Sequence, residues 1–171
     1  VSQAIYPLMQ VADMKHLKLD AAEAGLEQRK IHMLGREIFD QINYPKVTYV
    51  HTPLVTALTG PGQKMSSSKP ETLISVVDSE EEIKKKINKA YCPEGVTIEN
   101  PVLQLAQLLV FPHQEKLEVK RPSKFGGDKT FNSYAEVEQS FVKKELHPAD
   151  LKSAVALALT EILAPARKAF R

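Results

Sequence analysis

Lys64-Met65-Ser66-Ser67-Ser68-Lys69 sets two lysines around three serines, just after Gly60 and Gly62. Ammonium groups, hydroxyls and the free backbone N–H groups of a glycine-rich loop are the parts that hold a polyphosphate whose charge grows during displacement. Gly-Lys-Ser/Thr does not occur, so this is not a Walker-type loop. On composition alone the stretch also reads as a flexible Ser/Lys linker. A second group is Tyr6, Gln10 and Asp13, a phenol, an amide and a carboxylate at the end of an apolar run. That is where open parallel sheets bind ligands, although core packing and helix capping would explain the same residues. Gln28, Arg29 and Lys30 put amide, guanidinium and ammonium at a helix start, which suits either a phosphate or a solvated charged face. No His/Cys/Asp/Glu spacing predicts a metal site, and no Ser-His-Asp arrangement is assignable.

Residues up to about 78 alternate short apolar and polar runs. Ala4 to Met9 reads as a buried strand ending in a loop. Ile31, Leu34 and Ile38 recur at helical spacing between Leu26 and Gln41, and Lys46 to His51 is a β-branched, aromatic strand stopped by Pro53. Strand, helix and strand predict a βαβ unit of a parallel sheet. From Ser79 onward the pattern is helical. Ser79 with Glu82 forms a capping box, and Glu80, Glu81 and Glu82 each precede a lysine by four residues, which predicts a salt-bridged face. Asn100-Pro101 opens a second helix, closed by Pro112; Ser133 with Glu136 caps a third. The most continuous apolar stripe follows Pro148 and runs to Pro165. Domains are therefore expected at 1–78 and 79–171.

The length of 171 residues allows one ordinary domain or two small ones, and 43% apolar with 26% charged residues is a globular composition. A formal charge of +2 excludes a polybasic wrap but not a local basic face. A single cysteine excludes a disulfide framework, and no apolar run is long enough to span a bilayer, so a cytoplasmic setting is expected. The chain opens on Val1 with no methionine and no leader, consistent with processing or with a fragment.

Five stretches carry a resemblance. Tyr6 to Asp13, Glu27 to Met33, Lys64 to Lys69, Lys124-Phe125-Gly126-Gly127-Asp128 and Glu145 to Lys152 occur in the order seen in tyrosyl-tRNA synthetases of the archaeal and eukaryotic type. The match covers essentially the whole chain and outweighs the linker reading of the serine loop. It implies an α/β chain: the second half of a Rossmann-type parallel-sheet nucleotide fold followed by a mostly α-helical anticodon-binding domain. By that resemblance Tyr6, Gln10 and Gln28 hold the amino group and backbone end of tyrosine. Asp13, as a buried carboxylate, accepts a hydrogen bond from the phenolic hydroxyl. Lys64, Met65, Ser66, Ser67, Ser68 and Lys69 bind ATP with its Mg²⁺, and Lys64 and Lys69 act as mobile cations over the leaving pyrophosphate.

The resemblance also implies that Phe125 and His147 stack on the first anticodon base, a guanine, while Asp150 accepts hydrogen bonds from its edge. Asp150 as a dipole partner and Phe125 as core are what those positions suggest without it. Arg29 and Lys30 are placed near the tRNA acceptor end. Tyrosine, ATP and tRNA are the implied partners, with a homodimer for the complete enzyme and no tightly bound cofactor or membrane.

One family element is missing. A class I synthetase holds the ATP phosphates with His-x-Gly-His, and this sequence has none; His32-Met33-Leu34-Gly35 lacks the second histidine. The chain is therefore expected to be a C-terminal half, active only with a missing N-terminal half. The alternatives are a non-catalytic tRNA-binding fragment and a tryptophan-specific synthetase, against which Asp13 argues because indole has no hydroxyl there.

Overall fold

The computed structural model describes residues 2–63 and 65–170, with side chains from Ile5 onward. The fold is α/β, mostly helical with a small parallel sheet, and its contacts gather into two compact units, Val1–Leu54 and Val55–Arg171. Packing thus groups the serine loop with the helical part: Leu58 sits in that core, its N–H donates to Thr72 O at 2.9 Å and its carbonyl accepts from Tyr91 N at 2.7 Å. The sequence division at 78/79 follows a different criterion, the change in periodicity.

In the first unit, α1 (Ser2–His16) replaces the strand expected at Ala4–Met9. Val11 and Met14, three apart, are its buried residues, so the pattern that matters is helical and begins after the apolar run. Pro7 lies inside the helix, where it removes one backbone donor but does not end it. The first strand is instead β1 (Ala21–Gly25), a run of alanines with no β-branched residue. It pairs in parallel with β2 (Thr48–Thr52), in register Ala21 to Thr48, and α2 (Arg29–Gln41) forms the crossover. The βαβ unit is borne out with a different first strand.

Val11, Met14, Phe39 and Val47 form the core of this unit, Phe39 at 0% exposure. Burying such a side chain stabilises by about 1.5–3 kcal/mol. Gly35 permits close helix packing: a Cβ there would stand 2.9 Å from the Tyr49 hydroxyl.

In the second unit, α3 (Glu80–Lys89) carries the predicted capping box. The predicted pairing of its glutamates with lysines four residues on is not what forms. Glu82 accepts from Ser79, and Lys86 turns back to Asp78 at 2.6 Å, a largely buried pair. Asn100 caps α4 (Pro101–Leu105), which continues through a π-turn at Ala106–Val110 into α5 (Phe111–His113). The helical path therefore passes Pro112 rather than closing there, the wide turn being a common accommodation before a ring that cannot donate.

The antiparallel pair β3 (Leu117–Val119) and β4 (Lys129–Phe131) precedes α6 (Tyr134–Val142), capped by Ser133. Next come α7 (Pro148–Ile162) and α8 (Ala164–Ala169), so Pro165 sits in the first turn of a further helix. Ile83, Ile87, Leu103, Phe131, Phe141, Leu151 and Leu159 make the core of this unit.

Candidate functional site

The serine loop is a tight turn. Lys69 N–H donates to Ser66 O at 2.9 Å, and the Ser66 and Ser68 hydroxyls share a hydrogen bond at 2.8 Å. Buried Thr72 staples it: its hydroxyl accepts from Ser66 N–H at 3.0 Å and donates to Lys69 O at 2.7 Å. Met65, Ser67, Ser68 and Lys69 remain exposed, with Ser66 half-buried. Lys64, the other lysine expected over the phosphates, lies outside the described residues.

Tyr6, Gln10 and Asp13 fall at helical spacing on α1 rather than at a strand end. Tyr6 is 58% exposed and Asp13 is exposed, so the enclosed carboxylate expected at Asp13 is not formed by this unit itself. Asp13 precedes buried Met14, and one residue along a helix is a turn of about 100°, which carries its side chain away from the core. Gln10 Oε1 is buried and has no hydrogen-bond partner among the described residues; the same is true of Gln28 Oε1, at the start of α2. An orphaned buried acceptor costs about 1–3 kcal/mol. Both oxygens are suited to accept from an ammonium group. Arg29 and Lys30 are exposed beside a shallow recess of about 620 Å³ that Leu26 and Met33 also line.

Phe125, His147 and Asp150 come together in one cleft of about 430 Å³, with Arg121, Lys144, Glu145 and Ala149. Phe125 ends a 3₁₀ turn in the β3–β4 connection, and Gly126 and Gly127, at φ 95° and 71°, reverse the chain in the left-handed region glycine enters freely. The ring is 60% exposed, and Lys124 Nζ lies 4.8 Å from its centroid. Phe125 is therefore not the small-core residue its sequence alone would allow. His147 caps α7, its Nδ1 accepting Ala149 N–H at 3.1 Å, which places the neutral ring's proton on Nε2. Asp150, half-buried, stands in the first turn of that helix.

Periodicity had no signal for Arg121, Thr72 or the pair His32–His51. His32 Nδ1 and His51 Nε2 share a hydrogen bond at 2.9 Å, and His32 stacks on Tyr49 at 4.4 Å. Burial, then the neighbouring His51, pushes His32 below its ordinary value of 6.5. Arg121 meets Asp128, seven residues on, through its backbone N–H, a contact open to any residue but proline, so its side chain left no signal in the sequence.

Residues 1–164 match the family described as tRNA synthetases class I (W and Y), and the chain belongs to that family of enzymes. Among its relatives, a tyrosine–tRNA ligase of Methanocaldococcus jannaschii is 53% identical over 169 residues, covering 98% of this chain and 52% of that protein. One of Methanospirillum hungatei is 52% identical over 168 residues, with the same coverage of each. The crystal structure of the Archaeoglobus fulgidus tyrosyl-tRNA synthetase complexed with L-tyrosine is 49% identical, with a TM-score of 0.86 over 98% of this chain and 51% of that one. A Giardia lamblia tryptophanyl-tRNA synthetase, at 18% identity and a TM-score of 0.63, shares the fold alone. The chain spans about half the length of the curated relatives it matches.

Proposed function

We propose that this chain is part of a tyrosine–tRNA ligase, which activates tyrosine with ATP and transfers it to tRNA(Tyr). Residues 1–78 supply the second half of a Rossmann-type nucleotide fold, and residues 79–171 bind the anticodon. The observation that carries the RNA half is the single cleft shared by Phe125, His147 and Asp150, which come from two separate stretches of chain. An aromatic ring beside a carboxylate suits a splayed guanine, whose edge is rich in donors.

The tyrosine half rests on Gln10 and Gln28. Their unpartnered oxygens fit the α-ammonium group, with Tyr6 one turn before Gln10 on α1 and Asp13 assigned to the phenol. Lys64 and Lys69, with Met65 to Ser68 between them, hold the phosphates of ATP, which arrives as its Mg²⁺ complex. Tyrosine carboxylate oxygen attacks the α-phosphorus, the bond to the bridging oxygen breaks, and pyrophosphate leaves with the electron pair. The lysines offset the charge that develops there, and positioning accounts for most of the remaining acceleration. Arg29 and Lys30 serve the acceptor end of the tRNA.

This activity belongs to the longer protein, a homodimer, and needs the half that supplies His-x-Gly-His. Ile5, Tyr6, Leu8 and Met9 expose 45–59% of their surfaces on α1, an uncovered apolar stretch that suits contact with the remaining half. Covering it would also desolvate Asp13, which selectivity against phenylalanine requires. Pyrophosphate exchange, measured for the chain alone and with the remaining half added, tests the proposal. Exchange only in the mixture is expected. Exchange by the chain alone would overturn the need for that half, and RNA binding without exchange in either would favour a non-catalytic tRNA-binding fragment.

A further inference from the structure

We propose that Arg121 is a positioning residue that sets the distance between the Phe125 turn and the His147–Asp150 turn, a proposal that rests on reading their cleft as the seat of an anticodon base. Its Nε donates to the carbonyl oxygen of Gly127 at 2.7 Å, and its Nη1 donates to the carbonyl oxygen of Glu145 at 3.1 Å. Gly127 lies two residues past Phe125, and Glu145 two residues before His147. One rigid guanidinium thereby joins the two walls through main-chain atoms, which do not change rotamer. The Arg121 N–H donates in turn to Asp128 Oδ1 at 3.0 Å, closing the loop on itself.

The surroundings reinforce this placement. A Cβ at Gly126 would stand 3.4 Å from Arg121 Nη2, so the guanidinium packs directly over the glycine turn. The far wall is anchored as well: Glu145 Oε2 accepts from Ser140 Oγ at 3.4 Å and lies 3.7 Å from Lys129 Nζ. Lys129 Nζ also donates to Ser140 Oγ at 3.0 Å, tying that wall to β4 and α6. Two of the guanidinium's donors are thus spent on protein carbonyls. Its role is geometric: a stacked base needs walls held at a fixed separation, and a fork of fixed donors spans two carbonyls where a single ammonium cannot.

The test is equilibrium binding of the 171-residue chain to stem-loop RNAs carrying guanine or an abasic site at the first anticodon position, across a salt series. The wild-type chain is expected to prefer guanine. Arg121→Ala should lower affinity for the guanine loop about tenfold, the scale of one lost charge-assisted hydrogen bond, and leave the abasic loop unchanged at the same salt slope. Arg121→Lys should behave like Arg121→Ala although it keeps the charge, and it carries the test if thermal melting shows Arg121→Ala unfolded. Equal losses on both loops with a shallower salt slope would make Arg121 a phosphate contact and overturn the proposal. Full recovery by Arg121→Lys, or no change in either variant, would overturn it too. A wild-type chain indifferent to guanine would instead sink the anticodon reading itself.

Discussion

The backbone N–H of Asp150 donates to the carbonyl oxygen of His147 at 3.1 Å, so the two residues that line one side of the cleft share a single helical turn. On the anticodon reading proposed above, the Asp150 carboxylate accepts from the edge of the base. Asp150→Ala should raise the KM for tRNA in the full-length enzyme and relax the preference for guanine at the first anticodon position. Aminoacylation of tRNAs varied at that base measures it, and an undiminished guanine preference would remove Asp150 from the site.

Phe125 contributes differently, because stacking is indifferent to base identity. Phe125→Ala should weaken every anticodon variant by a similar factor, about 1–3 kcal/mol in binding. One ring face is already approached by Lys124, so the base is expected on the other. Binding of stem-loop RNAs with each of the four bases checks this; a loss confined to guanine would contradict it.

Gln10→Leu and Gln28→Leu should each raise the melting temperature of the free chain slightly while weakening tyrosine binding in the complete enzyme. Each removes a buried acceptor that has no partner among the described residues, and apolar replacement of such a group is neutral or stabilising. Calorimetry gives both quantities. Destabilisation with unchanged tyrosine affinity would assign these glutamines to packing alone.

Lys69→Ala, alone or with Lys64→Ala, should slow adenylate formation in the complete enzyme and leave tyrosine affinity nearly unchanged. In the proposed role the lysines act on charge that appears only as pyrophosphate leaves, which is a contribution to the transition state rather than to the ground state. Single-turnover kinetics separates the two. A parallel fall in tyrosine affinity would place the loop at the amino acid instead.

His32 predicts an acid-sensitive first unit. Its folded value lies below 6.5, so on acidification the unfolded chain takes up a proton first. The resulting stability is fully present above about 6.5 and is lost as pH falls through the folded value. Thermal melts at descending pH should show the loss, and His32→Gln should flatten it. His51, Tyr49 and Arg36 are the titratable or charged groups beside this cluster. A pH profile unaltered by His32→Gln would shift the effect elsewhere.

The sequence by itself determined where four helices of the second unit start, because Ser79, Asn100, Ser133 and Pro148 act locally: a side chain or a ring satisfies or removes a donor within one turn. It also carried the ordered motifs that mark the family. The first unit depended on tertiary structure. Ala21–Gly25 has no strand propensity of its own and is extended because it pairs with Thr48–Thr52, and the Ala4–Met9 run is helical because Val11 and Met14 must face Phe39 and Val47. The same separation holds at the cleft. Phe125, His147 and Asp150 were proposed as base readers from the family resemblance, whereas the two turns that carry them are joined by an arginine that bonds two carbonyls in separate stretches of chain. Backbone acceptors leave no trace in residue type, so only the folded chain specifies that contact.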